Sequence, residues 1–240
     1  HAIKSLPFPQ RCANGPGMPA HSLAPRFDIV GFDLDGTLLD TSGDLGVALN
    51  HALSTIGRPP VPQEQVMGLI GGGSGLMLRR ALALTGGDEG IDFEGLRQVL
   101  IAHYADHIAH HTALYPGGAE MLDALAAAGT RIAVVTNKPE HLAVRLFDAL
   151  GLSPRFACVI GGGRYPLKPA PDALHAMVAE CGGGAAAFVG DTTFDTGAAR
   201  AAGLPCVAVS FGFCDAPLAE LGADAVIDHF DALIPTLSAL

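Results

Sequence analysis

Lysine is scarce in this sequence: the 240 residues include only Lys4, Lys138 and Lys168. Charged residues make up 16% of the chain and hydrophobic residues 49%, a balance that excludes a disordered protein. It supports one large core, or one core with a smaller additional domain. The formal net charge is -10 at pH 7, which argues against nucleic-acid binding as the main task because nucleic acids are polyanions. An anionic small molecule would need a local cation in the protein, and a bound metal ion is the obvious candidate.

The sequence also lacks the features of a membrane protein or a disulfide-linked protein. No apolar stretch approaches the ~18 residues that span a bilayer, so we expect no association with membranes. The five cysteines include no CxxC pair. An odd, scattered set of cysteines is typical of reduced thiols, and we therefore expect a cytoplasmic protein.

The first 25 residues differ in composition from the rest of the chain. They contain five prolines and no apolar run of the kind found in a signal peptide. We expect a disordered N-terminal extension over residues 1–25, with Met18 as a candidate start of the natural chain. The sequence gives no indication of the oligomeric state.

Hydrophobic periodicity divides the remainder into two kinds of region. A buried strand is predicted at 27–33, and apolar residues then recur at helical spacing from about 43 to 112. From residue 113 onward, short apolar runs that suit strands alternate with helical segments. The predicted strands are 131–136, 156–160, 186–190, 205–209 and 225–227, and the predicted helices are 118–128, 139–150, 171–181 and 195–202.

Short apolar strands separated by helices indicate a parallel sheet with helices on both faces. The sequence therefore predicts an α/β fold with a Rossmann-like parallel sheet core, built from 26–42 and 113–240. The stretch 43–112 would form an inserted helical cap domain.

Polar side chains follow the predicted strands at the points where the strands end. In parallel sheets, ligands bind outside the carboxyl ends of the strands, so we expect these side chains to converge on one edge. They are Asp33 and Asp35 after the first strand, Thr136 and Asn137 at the end of the second, Lys168 beyond the third, and Asp191 after the fourth.

The carboxylates at this edge suit a divalent metal ion. Asp33 and Asp35 would repel each other unless a cation relieved the repulsion, and Asp191 can add a further oxygen ligand. An oxygen-only ligand set favours Mg²⁺ over zinc. A carboxylate can also act as a nucleophile and form an acyl-phosphate.

The other polar groups suit a phosphoryl group. Thr136 and Asn137 offer neutral donors to phosphate oxygens, and Lys168 can neutralise charge as the phosphoryl group moves. Asp195 lies four residues after Asp191, which places it on the first turn of the next predicted helix. There it can bind the metal through water, or orient Lys168 or backbone groups.

Taken in order, these segments resemble the four motifs of the haloacid dehalogenase superfamily over about residues 27 to 236. One departure is mild: Thr192 stands where the last motif often has Ser, and the hydroxyl is kept. The matching segments are Asp33-Leu34-Asp35-Gly36-Thr37-Leu38, Val135-Thr136-Asn137, Lys168-Pro169 and Gly190-Asp191-Thr192-Thr193-Phe194-Asp195.

The resemblance implies roles for individual residues. Asp33 would be the nucleophile, and Asp35 would protonate the leaving group and then activate water. Mg²⁺ would be held by Asp33, by the backbone carbonyl of Asp35 and by Asp191.

Within the superfamily, the presence of Asp35 favours phosphoryl transfer over dehalogenation. Phosphonate-cleaving members need a cap lysine, and residues 43–112 contain none. The pattern is most similar to phosphoglycolate phosphatases, in features such as Asp40-Thr41, Tyr115-Pro116-Gly117 and Thr136-Asn137-Lys138-Pro139. This resemblance implies a Mg²⁺-dependent phosphatase of a small phosphate monoester, with 2-phosphoglycolate as the expected substrate and an aspartyl-phosphate as the intermediate.

Two alternatives stay open at this point. The chain could be a phosphatase or mutase that acts on a sugar phosphate, or a catalytically silent relative that binds a metabolite. The complete set of motif residues favours an enzyme over the silent relative.

The predicted cap contains two further candidate features. The glycine run 71–75 could approach a substrate closely, and Arg79, about one turn onward, could bind a substrate carboxylate, so Gly72 and Arg79 are candidate specificity residues. The competing interpretation is a flexible connection with a surface arginine. His103, His107 and His111 recur on one predicted helix near Asp106, but their spacing matches no recognised metal site, and a solvated polar face is the simpler interpretation.

Overall fold

A computed structural model describes residues 26–240 of the chain. The N-terminal extension expected at 1–25, with Met18, lies outside the described residues. Within residues 26–240, no helix combines the length and the apolar character that crossing a membrane requires.

The described strands include six that form one sheet, and every neighbouring pair in it is parallel. The spatial order is β5-β4-β1-β6-β7-β8. In chain order the strands are β1 (Ile29–Phe32), β2 (Leu39–Asp40), β3 (Ala113–Leu114), β4 (Arg131–Pro139), β5 (Cys158–Gly162), β6 (Ala186–Gly190), β7 (Cys206–Val209) and β8 (Ala225–Ile227).

Helices cover both faces of this sheet, and others lie in the insert between β2 and β3. The α-helices are α1 (Ser42–Thr55), α2 (Gln63–Val66), α3 (Gly73–Thr85), α4 (Phe93–Asp106), α5 (Gly118–Ala127), α6 (Glu140–Ala149), α7 (Asp172–Glu180), α8 (Thr193–Ala202) and α9 (Leu233–Ala239).

The central strands are hydrophobic on both faces. Every residue of β1, β6 and β7 is buried. Side chains alternate between the faces, so that Val30 packs in one core cluster and Ile29 in the other. The continuous apolar strands seen in the sequence are thus explained by a sheet buried on both sides, and the predicted fold class is confirmed.

The winding of the chain changes side at β1. From β1 the chain reaches β4 and β5 on one side, then crosses back to β6, β7 and β8 on the other. Such a reversal leaves a crevice at the carboxyl ends of the central strands, where ligands of open α/β sheets bind.

The insert is connected to the sheet through a short antiparallel pair, β2 with β3. Asp44, at the start of α1, accepts hydrogen bonds from the His111 backbone N–H at 3.0 Å and from the Thr112 hydroxyl at 2.7 Å. One buried carboxylate therefore holds together the two places where the chain crosses between sheet and insert.

Several boundaries differ from the predicted ones. β4 runs to Pro139 instead of ending at 136, and β5 begins at Cys158 instead of 156. The two-residue strands β2 and β3 and the terminal helix α9 were not predicted. Two residues are too few to produce a detectable alternation of apolar and polar positions.

Candidate active site

The carboxyl ends of β1, β4 and β6 bring the predicted residues together. Asp33 directly follows β1, Thr136 and Asn137 lie within β4, and Asp191 directly follows β6. Lys168 comes from the connection between β5 and α7.

Lys168 lies at the centre of this group and is buried. Its ammonium is 2.8 Å from Asp33 Oδ1 and 2.6 Å from Asp195 Oδ1. It also donates a hydrogen bond to the Val135 carbonyl at 2.8 Å. Burial alone would lower the pKa of Lys168, but the carboxylates of Asp195 and Asp33 outweigh this effect and hold it above the ordinary value. The two carboxylates therefore favour the charged form of this side chain.

Asp195 connects Lys168 to the backbone at the start of α8. Its Oδ2 accepts hydrogen bonds from the Thr192 hydroxyl at 2.6 Å, the Thr192 N–H at 3.0 Å and the Asp191 N–H at 3.2 Å. Thr192 and Asp195 form a capping box, so the hydroxyl that replaces the usual serine keeps a structural task. A Cβ on Gly190 would lie 2.3 Å from Asp195 Cβ, and only glycine fits there. Asp195 therefore orients Lys168 and the backbone, while the predicted contact of Asp195 with a metal through water stays a prediction.

Asp191 is completely buried, and both of its oxygens are held. Oδ1 accepts from the Thr37 hydroxyl at 2.9 Å and Oδ2 from the Phe213 N–H at 2.7 Å. Gly36 has φ +84°, and a Cβ there would lie 2.3 Å from Asp191 Oδ2, which explains the glycine in the first motif. Burial, with the negative charges of Asp195 and Asp33, raises the pKa of Asp191 well above its ordinary value.

Three buried carboxylates, from Asp33, Asp191 and Asp195, have oxygens within 4.8 Å of one another. Burial raises the pKa of Asp33 to about 7, although Lys168 acts in the opposite direction. A divalent cation would relieve this concentration of negative charge, and the all-oxygen donor set fits Mg²⁺. Among residues 26–240, no other group of three or more His, Cys, Asp or Glu side chains comes this close. His103, His107 and His111 therefore form no such cluster, and they do not share a helix as predicted, because α4 ends at Asp106.

The Asp35 side chain points to a different set of partners. Its Oδ1 accepts hydrogen bonds from the Thr41 hydroxyl at 2.7 Å and from the Lys138 ammonium at 2.9 Å. Both contacts fall on one oxygen of the carboxylate. The Asp35 carboxylate is not part of the three-carboxylate cluster, and the role of its backbone carbonyl as a metal ligand stays a prediction.

Lys138 is a functional candidate that sequence reasoning treated only as part of a motif. It is buried, and its ammonium lies 4.3 Å from the centre of the Tyr104 ring, on α4 of the insert. Burial alone would lower the pKa of Lys138, but Asp35 and Tyr104 raise it above the ordinary value overall. The scarcity of lysine was the signal that could have identified this residue.

Thr136 and Asn137 have different surroundings. The Thr136 hydroxyl oxygen accepts from the Lys138 N–H at 3.2 Å. The Asn137 side chain donates to the Lys168 carbonyl at 3.1 Å and accepts from the Lys168 N–H at 2.8 Å. The Asn137 side chain therefore holds the Lys168 backbone, a task that the sequence did not predict. Its second amide N–H is not used in these two bonds, so donation to a phosphate oxygen stays a prediction.

A cavity lies between the sheet edge and the insert. Asp33, Asp35, Thr136, Asn137 and Lys138 line its polar side, and Tyr104 joins them from the insert. The remaining wall is mostly apolar, formed by residues that include Leu45, Ile70, Met77, Leu100, Ile101 and Leu142.

The candidate specificity residues Gly72 and Arg79 lie elsewhere. Both line a second, outer cavity, and the Arg79 guanidinium stacks 4.4 Å from the centre of the Phe93 ring. The neighbours Gly71, Gly73 and Ser74, and not Gly72, line the cavity that contains Asp33. The glycine run therefore reaches the site, while Arg79 is exposed on the other side of α3.

Comparison with known proteins agrees with this geometry. The family model described as haloacid dehalogenase-like hydrolase matches residues 30–209. The chain is 41% identical over 211 residues to a phosphoglycolate phosphatase of Agrobacterium fabrum, covering 86% of this chain and 90% of that protein. It is 42% identical over 208 residues to a phosphoglycolate phosphatase of Caulobacter vibrioides, covering 84% and 86%.

A solved structure gives the same result. The crystal structure of a predicted phosphoglycolate phosphatase from Haemophilus somnus 129pt matches with a TM-score of 0.81 and 30% identity, over 88% of this chain and 97% of that one. The match extends well beyond the motifs, since it covers 88% of this chain. The resemblance first found in four short motifs is confirmed, and the chain belongs to the haloacid dehalogenase-like hydrolase family.

Proposed function

We propose that the chain is a Mg²⁺-dependent phosphatase that hydrolyses a small phosphate monoester, with 2-phosphoglycolate as its substrate. The observation that carries the proposal is the Asp33 carboxylate, buried at the end of β1 with the Lys168 ammonium 2.8 Å away and Asp191 alongside. Relatives about 40% identical over most of the chain are named phosphoglycolate phosphatases. A phosphate ester is thus the substrate class that both chemistry and family favour.

In the first half of the reaction, Asp33 attacks the phosphorus atom. A bond forms between an Asp33 oxygen and phosphorus while the bond from phosphorus to the ester oxygen breaks. Asp35 gives its proton to the departing ester oxygen. Since Thr41 and Lys138 both bind Oδ1, the free Oδ2 is the oxygen that carries this proton.

In the second half, Asp35 acts as a base. It takes a proton from a water molecule, the water oxygen attacks the phosphorus of the aspartyl-phosphate, and the bond between Asp33 and phosphorus breaks. Inorganic phosphate leaves and Asp33 is restored as a carboxylate. Asp35 regains the proton that it gave up in the first half.

The remaining residues stabilise charge and hold positions. Lys168 neutralises the phosphoryl oxygens, and Asn137 keeps the Lys168 backbone in place. Thr136 can donate its hydroxyl hydrogen to a phosphoryl oxygen. When bound by Asp33, Asp191 and the Asp35 backbone carbonyl, Mg²⁺ would supply positive charge at the nucleophile and the phosphoryl group. Asp195 serves as the partner that orients Lys168.

In this proposal the two regions of the chain have different tasks. Residues 26–42 and 113–240 form the core that carries out phosphoryl transfer, and residues 43–112 form a cap that closes the cavity. A cytoplasmic location stays a prediction that rests on the cysteine composition.

Phosphate release from 2-phosphoglycolate by the purified chain tests the proposal. Release should require Mg²⁺ and stop with a chelator, and a rapidly denatured reaction should show the mass of a phosphoryl group on the peptide that contains Asp33. Sugar phosphates and an aryl phosphate belong in the same panel. Release without any modified Asp33 peptide, or preferential turnover of a sugar phosphate, would contradict the mechanism or the substrate respectively.

A further inference from the structure

We propose that Lys138, together with the hydroxyl of Tyr104, binds a carboxylate of the substrate, so that the site selects small phosphate esters that carry a carboxylate close to the ester oxygen. This inference rests on the proposed phosphatase function and adds the residues that decide the substrate class. It assigns recognition of the leaving group to Lys138 of β4 and Tyr104 of the insert, and not to Arg79, the candidate suggested by the sequence.

The first step of the argument is location. In the proposed reaction, Asp35 protonates the ester oxygen of the leaving group. The Lys138 ammonium is 2.9 Å from Asp35 Oδ1, so it lies beside the place that the leaving group occupies. In 2-phosphoglycolate a single carbon separates the ester oxygen from the carboxylate. A carboxylate attached in this way stays within reach of a cation that contacts Asp35.

The second step is charge. Among the described residues that line the cavity, Lys138 is the cation, while the charged groups beside it are Asp33 and Asp35. Lys168 does not line this cavity, and its ammonium is already engaged by Asp33, Asp195 and the Val135 carbonyl. An anionic leaving group would otherwise meet two carboxylates and an apolar wall.

The third step is the hydrogen-bonding capacity that remains. An ammonium has three N–H donors, and Asp35 takes one hydrogen bond from the Lys138 ammonium. The Tyr104 hydroxyl is buried and has no acceptor among the described residues. A buried hydroxyl without an acceptor is costly, and Tyr104 and Lys138 line the same cavity. A carboxylate, which has two acceptor oxygens, would satisfy both.

The competing explanation is that Lys138 only orients Asp35. The two explanations predict different kinetics, because a residue that merely orients the general acid affects every ester alike. A residue that binds a carboxylate affects esters that carry one far more than esters that do not, and it does so chiefly through KM.

The experiment compares 2-phosphoglycolate with 2-hydroxyethyl phosphate, which has a neutral hydroxymethyl group in place of the carboxylate. Wild type should prefer 2-phosphoglycolate. Lys138→Met should lower kcat/KM for 2-phosphoglycolate about 10- to 100-fold more than for the neutral ester, the range for a lost hydrogen bond to a charged group. Lys138→Arg should restore part of the preference. Tyr104→Phe, which removes only the hydroxyl and keeps the ring, should weaken the preference for 2-phosphoglycolate by about 3- to 10-fold, in the same direction as Lys138→Met.

Equal losses on both esters in Lys138→Met and no shift in Tyr104→Phe would overturn the inference and leave Lys138 as a positioning residue. Arg79→Ala tests the competing assignment of carboxylate binding to Arg79. If Arg79→Ala changes the preference between the two esters and Tyr104→Phe does not, the inference is also overturned. Wild-type turnover of an aryl phosphate in the same assay distinguishes failure of this inference from failure of the proposed phosphatase function. Activity on that ester with an unchanged preference removes only this inference, whereas no Mg²⁺-dependent activity on any ester removes the proposed function and the inference with it.

Discussion

The two sides of the cavity are built in different ways. On the sheet side, Asp33, Asp191 and Lys168 are buried and bonded to one another or to backbone groups whose positions the strands fix. On the insert side, the wall is mostly apolar, and the glycine run that borders it is only half-buried. Mutually bonded polar groups are intolerant of change because each one satisfies another, whereas an apolar wall can adjust its packing. Changes on the sheet side should therefore affect every substrate, and changes that face the leaving group should affect substrates unequally.

The strongest test of the sheet side is Asp33→Asn. The amide resembles the carboxylate in shape but cannot form the acyl-phosphate, so we expect turnover to fall by at least about 10⁴-fold for every ester. Phosphate release by the purified variant, with its thermal melt recorded beside wild type, measures this. Near-normal activity in a preparation free of wild-type enzyme would show that another group attacks phosphorus.

A smaller but more selective effect is expected for Asp35→Asn. Asparagine can still accept hydrogen bonds from Lys138 and Thr41 but cannot exchange a proton, so we expect a loss of roughly 10²–10⁴-fold. Single-turnover phosphorylation should be affected least with aryl phosphates, whose leaving groups need little protonation. Equal defects for aryl and alkyl esters in that step would argue against the role as general acid.

Asn137 and Asn50 offer a matched comparison between the two regions. Each side chain holds a distant backbone segment by two hydrogen bonds: Asn137 holds Lys168, and Asn50, in α1, holds Val61 at 3.0 and 2.8 Å. Either alanine variant should lose about 1–3 kcal/mol of stability, measured by denaturant unfolding.

Only Asn137→Ala should also lower kcat, by about 10-fold for acidic and neutral esters alike, because it releases the Lys168 backbone. If Asn50→Ala reduces kcat as much, the loss of activity reflects general destabilisation and not the position of Lys168.

The smallest predicted effect concerns pH and metal. The pKa of Asp33 is raised from 3.8 to about 7, so its neutral form stabilises the metal-free fold below the unfolded pKa, and this contribution is lost as pH rises through about 7. Mg²⁺ binds the ionised form. The increase in Tm on adding Mg²⁺ should therefore be a few degrees larger at about pH 8 than at about pH 5.5. The same shift in an Asp33→Asn variant would mean that a group other than Asp33 makes Mg²⁺ binding depend on pH.

The sequence predicted the sheet side far better than the insert side, for a physical reason. Asp33 and Asp191 directly follow buried strands, and Thr136 lies in the carboxyl-terminal half of β4. Parallel strands place such residues on one edge whatever the details of packing. The approach of Tyr104 to Lys138 depends on how the insert packs against the sheet, which no local pattern encodes.

The position of Arg79 also could not be predicted from the sequence, because it depends on how one helix packs. Met77 lines the inner cavity, and Arg79, two residues later, is turned about 200° around the helix axis and lines the outer one. The short spacing between the glycine run and Arg79 suggested that Arg79 could reach a substrate. Which side chains of α3 face the inner cavity is decided by how the helix packs, and Arg79 is not one of them. For Asn137, the residue type was compatible with a phosphate donor, and only the tertiary structure reveals the Lys168 backbone as its partner.

The pairing of β2 with β3 makes the insert an exchangeable module. Because Leu39 pairs with Leu114, the chain leaves and re-enters the core at adjacent points, and a different helical segment could be grafted between them without disturbing the sheet. Such a graft would replace Tyr104 and the part of the apolar wall that the insert contributes, but would leave Lys138 in β4. Replacement of the insert during evolution would thus change the shape of the leaving group that the cavity accepts. The preference for a leaving group with a carboxylate would be kept, because Lys138 belongs to the core.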